Sequence, residues 1–129
     1  MVIDWTFKYS IINDIVAGLQ YLHSSLIGIH GRLKSSNCLV SSRFIVKLSD
    51  YGLHSLHERI DDNEEATALM RKQIFKAPEH LKSTNKTGSK KGDVYSLGLL
   101  LYEIITNNHP FYNAEKSDYV MPLGRLILI

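Results

Sequence analysis

The sequence has a single cysteine, Cys38, in 129 residues, so no internal disulfide can form and packing alone must hold the fold. A small buried residue at the start of a strand is the favoured reading of Cys38 over a reactive thiol. No apolar run reaches the roughly 18 residues that a membrane-crossing helix needs. Charge of one sign is scarce too: 15 basic against 13 acidic residues leave a formal net charge of +2, too little for an electrostatic case for nucleic acid or an anionic membrane surface. The opening MVIDWTFKYS has no basic stretch followed by an apolar one, so no targeting signal is read there. The histidines His23, His54, His57, His80 and His109 show no ligand spacing with the lone cysteine, which argues against a zinc site. Internal repeats and low-complexity segments are absent.

What remains is ordinary globular material, 44% hydrophobic and 22% charged, enough for one domain or part of one. Both ends look cut: the chain opens almost inside a helix and closes on the apolar PLGRLILI. From Asp4 to His23 apolar residues recur at helical spacing, with Phe7, Ile11, Ile15, Leu19 and Leu22 on one face, Ile12 and Val16 beside them, and Asp4 as N-cap. Trp5 and the tyrosines read as core or half-buried packing. Residues 28–37, GIHGRLKSSN, break the period and form a loop. Residues 38–48 read as a short hairpin, Cys38–Val40 and Phe44–Leu48, turning at Ser41-Ser42-Arg43. Asp50-Tyr51-Gly52 ends the second strand in a turn. Residues 53–76 show no clean period, and the acidic run Asp61, Asp62, Glu64 and Glu65 reads as a solvated face. Residues 93–106 are apolar on nearly every side, as in a helix buried inside a domain, and Asn107, Asn108 and Pro110 stop it. A shorter helix is expected after Asn113.

This order of elements carries four landmarks. His30-Gly31-Arg32-Leu33-Lys34-Ser35-Ser36-Asn37 resembles the H-R-D-L-x-x-x-N catalytic loop of the protein kinases, and Asp50-Tyr51-Gly52 their D-F-G. Ala77-Pro78-Glu79 is similar to the A-P-E that closes the activation segment, and Asp93-Val94-Tyr95-Ser96-Leu97-Gly98 to the start of their central buried helix. The resemblance implies an α+β, mainly α fold: the large C-terminal lobe of a protein-kinase-like domain, truncated at both ends. One partial domain over 1–129 is expected, with a helix at 4–23, a catalytic-like loop at 28–37, a hairpin at 38–48, an activation-like segment at 50–79 and a buried helix at 93–106.

The departures from the kinase pattern carry the functional expectations. Arg32 stands where kinases have the aspartate that takes the substrate proton, and a guanidinium accepts no proton. No catalytic residue is therefore assigned. Asn37 and Asp50 match the two Mg²⁺ ligands and Lys34 the catalytic-loop lysine, so the resemblance implies a residual, weak ATP–Mg site on Lys34, Asn37 and Asp50. An equally open reading makes Asn37 and Asp50 hydrogen-bonding ties between loops. His30 is read as a brace of the loop and Asp93 as an acceptor for its backbone. Gly31 replaces an arginine that pairs with an activation-loop phosphate in many kinases, which disfavours that switch. The glycine-rich loop and strand lysine of the small lobe have no counterpart before residue 30.

The run His-Gly-x-Leu-Lys-Ser-Ser-Asn-Cys, then Arg-Phe-x-x-Lys-x-x-Asp-Tyr-Gly-Leu, with Asp-Trp-x-Phe-x-Tyr-Ser before it and Lys-Gly-Asp-Val-Tyr-Ser after it, is similar to the kinase homology domain of receptor guanylate cyclases, natriuretic-peptide-receptor type. That resemblance implies a catalytically dead, ATP-sensing regulatory module on the cytoplasmic side of the plasma membrane. Its partners would be a small lobe, a cyclase domain making cyclic GMP, and a second receptor chain in a homodimer; the segment itself neither enters the membrane nor binds nucleic acid. Two other readings stand beside it: an active Ser/Thr or Tyr kinase with an atypical loop, and a nucleotide-independent docking module. By itself the chain is expected to be marginally stable, because the helix at 93–106 needs cover on all sides.

Overall fold

A computed structural model describes residues 4–52, 74–82, 88–108, 110 and 127–128. Helix α1 spans Trp5–Ser24, and the Asp4 carboxylate accepts the Phe7 N–H at 2.9 Å, as an N-cap should. Its stripe is buried at Ile11, Ile15, Leu19 and Leu22, each contributing about 1.5–3 kcal/mol of apolar burial. The aromatic expectation fails on the outer face of this helix. Trp5, Tyr9 and Tyr21 are 67%, 73% and 79% exposed, because 100° per residue turns them away from the stripe.

After a loop, a 3₁₀ turn at Ser35–Asn37 leads into β1, Cys38–Val40, which pairs antiparallel with β2, Val46–Leu48. The second strand starts two residues later than the sequence pattern implies. Ser41 draws Arg43, Phe44 and Ile45 into the turn: its hydroxyl accepts from the Arg43 and Ile45 amides and its carbonyl from the Phe44 amide. Phe44 pays for this with a left-handed backbone, φ 60°, and its ring meets Phe7 of α1 edge-on at 5.0 Å.

Helix α2 spans Pro78–Lys82, with proline at its first position where a missing N–H costs nothing. Helix α3 spans Lys90–Thr106, three residues longer at its start than expected, because Ser89 caps it by accepting the Gly92 N–H at 2.9 Å. Asn107 ends it in the left-handed conformation at φ 59°. Leu100 and Ile104 are fully buried, but Val94, Tyr102 and Ile105 are exposed, so α3 is covered on one side and not all round. Lys8 of α1 donates to the Ile105 carbonyl at 3.0 Å, meeting the negative end of α3 with a cation. The core joins Ile11, Ile15 and Leu19 to Leu33, Cys38, Val40, Val46, Phe75, Leu100 and Ile104.

A third strand, β3 at Ile127–Leu128, lies parallel to β1 and gives the sheet the order β2-β1-β3. From the sequence this tail is apolar, with no strand expected in it. The acidic run at 61–65 and the helix expected after Asn113 lie outside the described residues, as does most of the activation-like segment. Among the described residues no helix is long and apolar enough to cross a membrane.

Candidate functional site

The loop at 28–37 is organised around one buried carboxylate. Asp93, in the first turn of α3 and 2% exposed, accepts the His30 N–H at 2.7 Å and the Gly31 N–H at 2.9 Å. Its third contact is His23 Nε2 at 2.7 Å. A carboxylate only accepts, so His23 carries its proton on Nε2. His23, at the end of α1, was not singled out from the sequence except to dismiss it as a zinc ligand. Its position seven residues before His30 is the one signal available, since a helix end and the following loop meet there.

His30 is fully buried, and its Nδ1 accepts the Arg32 N–H at 3.1 Å. That bond occupies the one ring lone pair of a neutral imidazole, so His30 braces the loop and has none left for a substrate proton. Its ring faces Tyr51 at 6.0 Å between centroids, tying the Asp50-Tyr51-Gly52 turn to the loop. Gly31 sits at φ 83°, a conformation that L side chains rarely adopt, and a Cβ on Gly88 would lie 3.3 Å from its Cα. The glycine at this position thus has a backbone reason of its own.

Asn37 joins the remaining pieces. Its side-chain nitrogen donates to the Arg32 carbonyl at 2.7 Å, its N–H to the Lys34 carbonyl at 3.0 Å, and its carbonyl accepts the Ser49 N–H at 2.9 Å. Asp50 follows directly, exposed and at φ 62°, where an aspartate is tolerated better than most residues. The structure therefore ties Arg32, Lys34, Asn37 and the residue before Asp50 through one side chain and two backbone bonds. The loop-tie role expected of Asn37 is present, and it uses the amide nitrogen. The atom suited to a cation is the amide oxygen, and it and the Asp50 carboxylate are hard-oxygen donors of the type that Mg²⁺ takes together with phosphates. The residues fit that ion only with a nucleotide supplying further ligands. No group of three or more His, Cys, Asp or Glu side chains capable of holding a metal occurs among the described residues.

Cys38 begins β1 fully buried, as its structural reading requires. Burial and, secondarily, the negative charge of Glu103 push its thiol from 9.0 up to about 12, which keeps it protonated and unreactive.

The Ala77-Pro78-Glu79 end is fastened to the same helix that carries Asp93. The Ser96 hydroxyl of α3 donates to the Phe75 carbonyl, and His80 of α2 pairs with the Ser89 hydroxyl at 2.8 Å. The His80 ring leaves room for nothing larger than hydrogen at Gly92, where a Cβ would lie 2.7 Å from it.

A loop hung on the first turn of a buried helix, a D-x-G-type turn against its histidine and an A-P-E segment on the same helix define a protein-kinase fold. The protein kinase domain model matches residues 4–126, and the chain belongs to that family. It is 52% identical over 112 residues to atrial natriuretic peptide receptor 2 of Anguilla japonica and 47% identical over 112 residues to that of Homo sapiens, covering 85% of this chain in each case. It is also 44% identical over 116 residues, 90% of the chain, to guanylyl cyclase C of Mus musculus. These relatives bear out the resemblance read from the catalytic loop. The chain spans only 10–11% of the length of these relatives.

Proposed function

We propose that this chain is a phosphoryl-transfer-inert, regulatory kinase-like lobe of a receptor guanylate cyclase, working beside a small lobe and a cyclase domain on the cytoplasmic face of the plasma membrane. The observation that carries the inert part is Arg32 at the position of the proton acceptor. Loss of a positioned base costs on the order of 10²–10⁴ in rate. The carboxylate bonded to this loop, Asp93, is no substitute: it is buried and already accepts three hydrogen bonds. The neighbouring histidine is no substitute either, because its Nδ1 is engaged by the Arg32 amide.

Lys34, Asn37 and Asp50 would hold the phosphates and Mg²⁺ of ATP, weakly, and nucleotide occupancy would bias how the lobe packs on its neighbours. Support for the regulatory part comes from the contrast between a loop scaffold kept by hydrogen bonds through Asp93 and Asn37 and an absent base. Support for the receptor context comes from the likeness to natriuretic peptide receptor 2 and guanylyl cyclase C; homodimerisation would follow from the parent receptor.

Two measurements on the complete kinase-like domain decide the reading. Titration with ATP, with and without Mg²⁺, is expected to show weak Mg-dependent binding that Asp50→Ala abolishes; silence at millimolar ATP removes the nucleotide part and leaves a docking module. Radiolabelled phosphate transfer is expected to be absent. Transfer that disappears in Asp50→Ala would establish an active kinase with an atypical loop and end the inert reading.

A further inference from the structure

The β1–β2 hairpin has two edges, and they are covered by different means. At the β2 edge the Val46 N–H points outward and donates to the Asp14 carboxylate of α1 at 3.1 Å. The adjacent Lys47 is exposed, and the strand is three residues long. A short strand, a charge and an occupied amide are standard devices against strand addition.

The same hydrogen bond determines what the opposite edge offers. In an antiparallel pair, opposed residues alternate between bonding each other and pointing away from each other. Val46 pairs with Val40 and sends its amide to Asp14, so Val40–Val46 is a pair that points away. The Ser49 N–H to Asn37 carbonyl and Ser41 N–H to Ile45 carbonyl bonds, both 2.9 Å, have the parity this requires. The N–H and C=O of Val40 therefore face away from β2. The Cys38 N–H faces the same way but is spent on the Ser35 carbonyl. Val40 is left as the bonding residue of that edge.

Against this edge lies β3, with Leu39 opposite Ile127 and Val40 opposite Leu128, in parallel register. The kinase-domain match ends at residue 126, so this strand lies outside the family pattern. Its sequence context, Leu126-Ile127-Leu128-Ile129, is an uninterrupted apolar run with strand-favouring isoleucines.

We propose that the outer edge of β1 is a strand-acceptor site for an extended apolar segment, filled in cis by Ile127–Leu128 of this chain. Main-chain bonds to Val40 give the attachment. Because Cys38 directly follows Asn37, the seated strand also steadies the turn that carries the candidate nucleotide residues. The acceptor site does not depend on that nucleotide reading.

Amide hydrogen exchange on the 129-residue chain tests it. In the double variant Ile127→Pro/Leu128→Pro, which has no N–H at either pairing residue, the Val40 amide is expected to exchange roughly tenfold faster or more. In Ile127→Val/Leu128→Val, which keeps strand character, it is expected to stay protected. The Ile11 and Leu100 amides of the helices report that the fold is intact in both. A synthetic LGRLILI peptide added to the chain lacking residues 127–129 is expected to restore Val40 protection. Equal Val40 exchange in the parent chain and the proline variant, or failure of the peptide to restore protection, overturns the proposal.

Discussion

The two ends of the catalytic-like loop differ in kind. At the His30–Gly31 end, the His30 and Gly31 amides and the His23 ring converge on one buried carboxylate. At the Arg32–Asp50 end, a guanidinium stands at the position that matches the kinase aspartate, and Asp50 is exposed on a left-handed backbone. The first end serves folding. The second carries the residues on which the proposed loss of phosphoryl transfer rests. The hydrogen bonds that hold the loop thus run through groups other than those of phosphoryl transfer, because buried amides must be satisfied whether or not the loop performs a reaction.

Asp93→Ala should break this contrast most severely. It strips the acceptor from two loop amides and from His23, and a loss of about 3–5 kcal/mol is expected. Urea unfolding followed by circular dichroism should then show no cooperative transition; a transition close to the parent's would mean that the loop is held by something else.

Alkaline pH probes the strand that leaves the chemical end. The Cys38 thiol is held protonated in the folded chain up to about pH 12, while in the unfolded chain it ionises near its ordinary value of 9.0. The stabilisation is complete below about pH 9 and declines as pH rises towards 12, by about 1.4 kcal/mol per unit. Stability measured against pH should show this slope in the parent and lose it in Cys38→Ala.

Gly92→Ala sharpens the comparison at the neighbouring clasp, where the new Cβ meets the His80 ring. A cost of about 1–3 kcal/mol is expected, with most of it recovered in Gly92→Ala/His80→Ala. The smallest effect belongs to Asp50→Ala: a change in stability within about 0.5 kcal/mol, as for an exposed residue, together with loss of Mg-dependent ATP binding. A large drop in melting temperature would show that Asp50 belongs to the scaffold end after all.

Several features were legible in the residues because they depend on local chemistry. Asp4 as a cap, the Ile11–Ile15–Leu19–Leu22 stripe and the Asn107 stop follow from side-chain type and spacing, and the Asp93 anchor from the resemblance to the kinases. The exposed aromatics of α1 were misread because aromatic character predicts burial on average, whereas the helix phase decides it for each residue. On α3, Val94, Tyr102 and Ile105 are apolar positions that stand exposed, in line with a helix expected to need more cover than it has here. The His23–Asp93 contact spans 70 positions, a distance at which no local pattern reports contact.

By itself, the sequence determined the kinase-like order of elements and the replacement of the proton acceptor by Arg32, since both are written in residue identity and short-range periodicity. Only the tertiary structure decided that His30 spends its lone pair on the loop, that Asp93 gathers three donors, and that Ile127–Leu128 covers the free edge of β1. Those outcomes depend on which groups meet across long stretches of chain, and hydrogen-bond satisfaction between such groups is settled by packing geometry, which residue spacing does not encode.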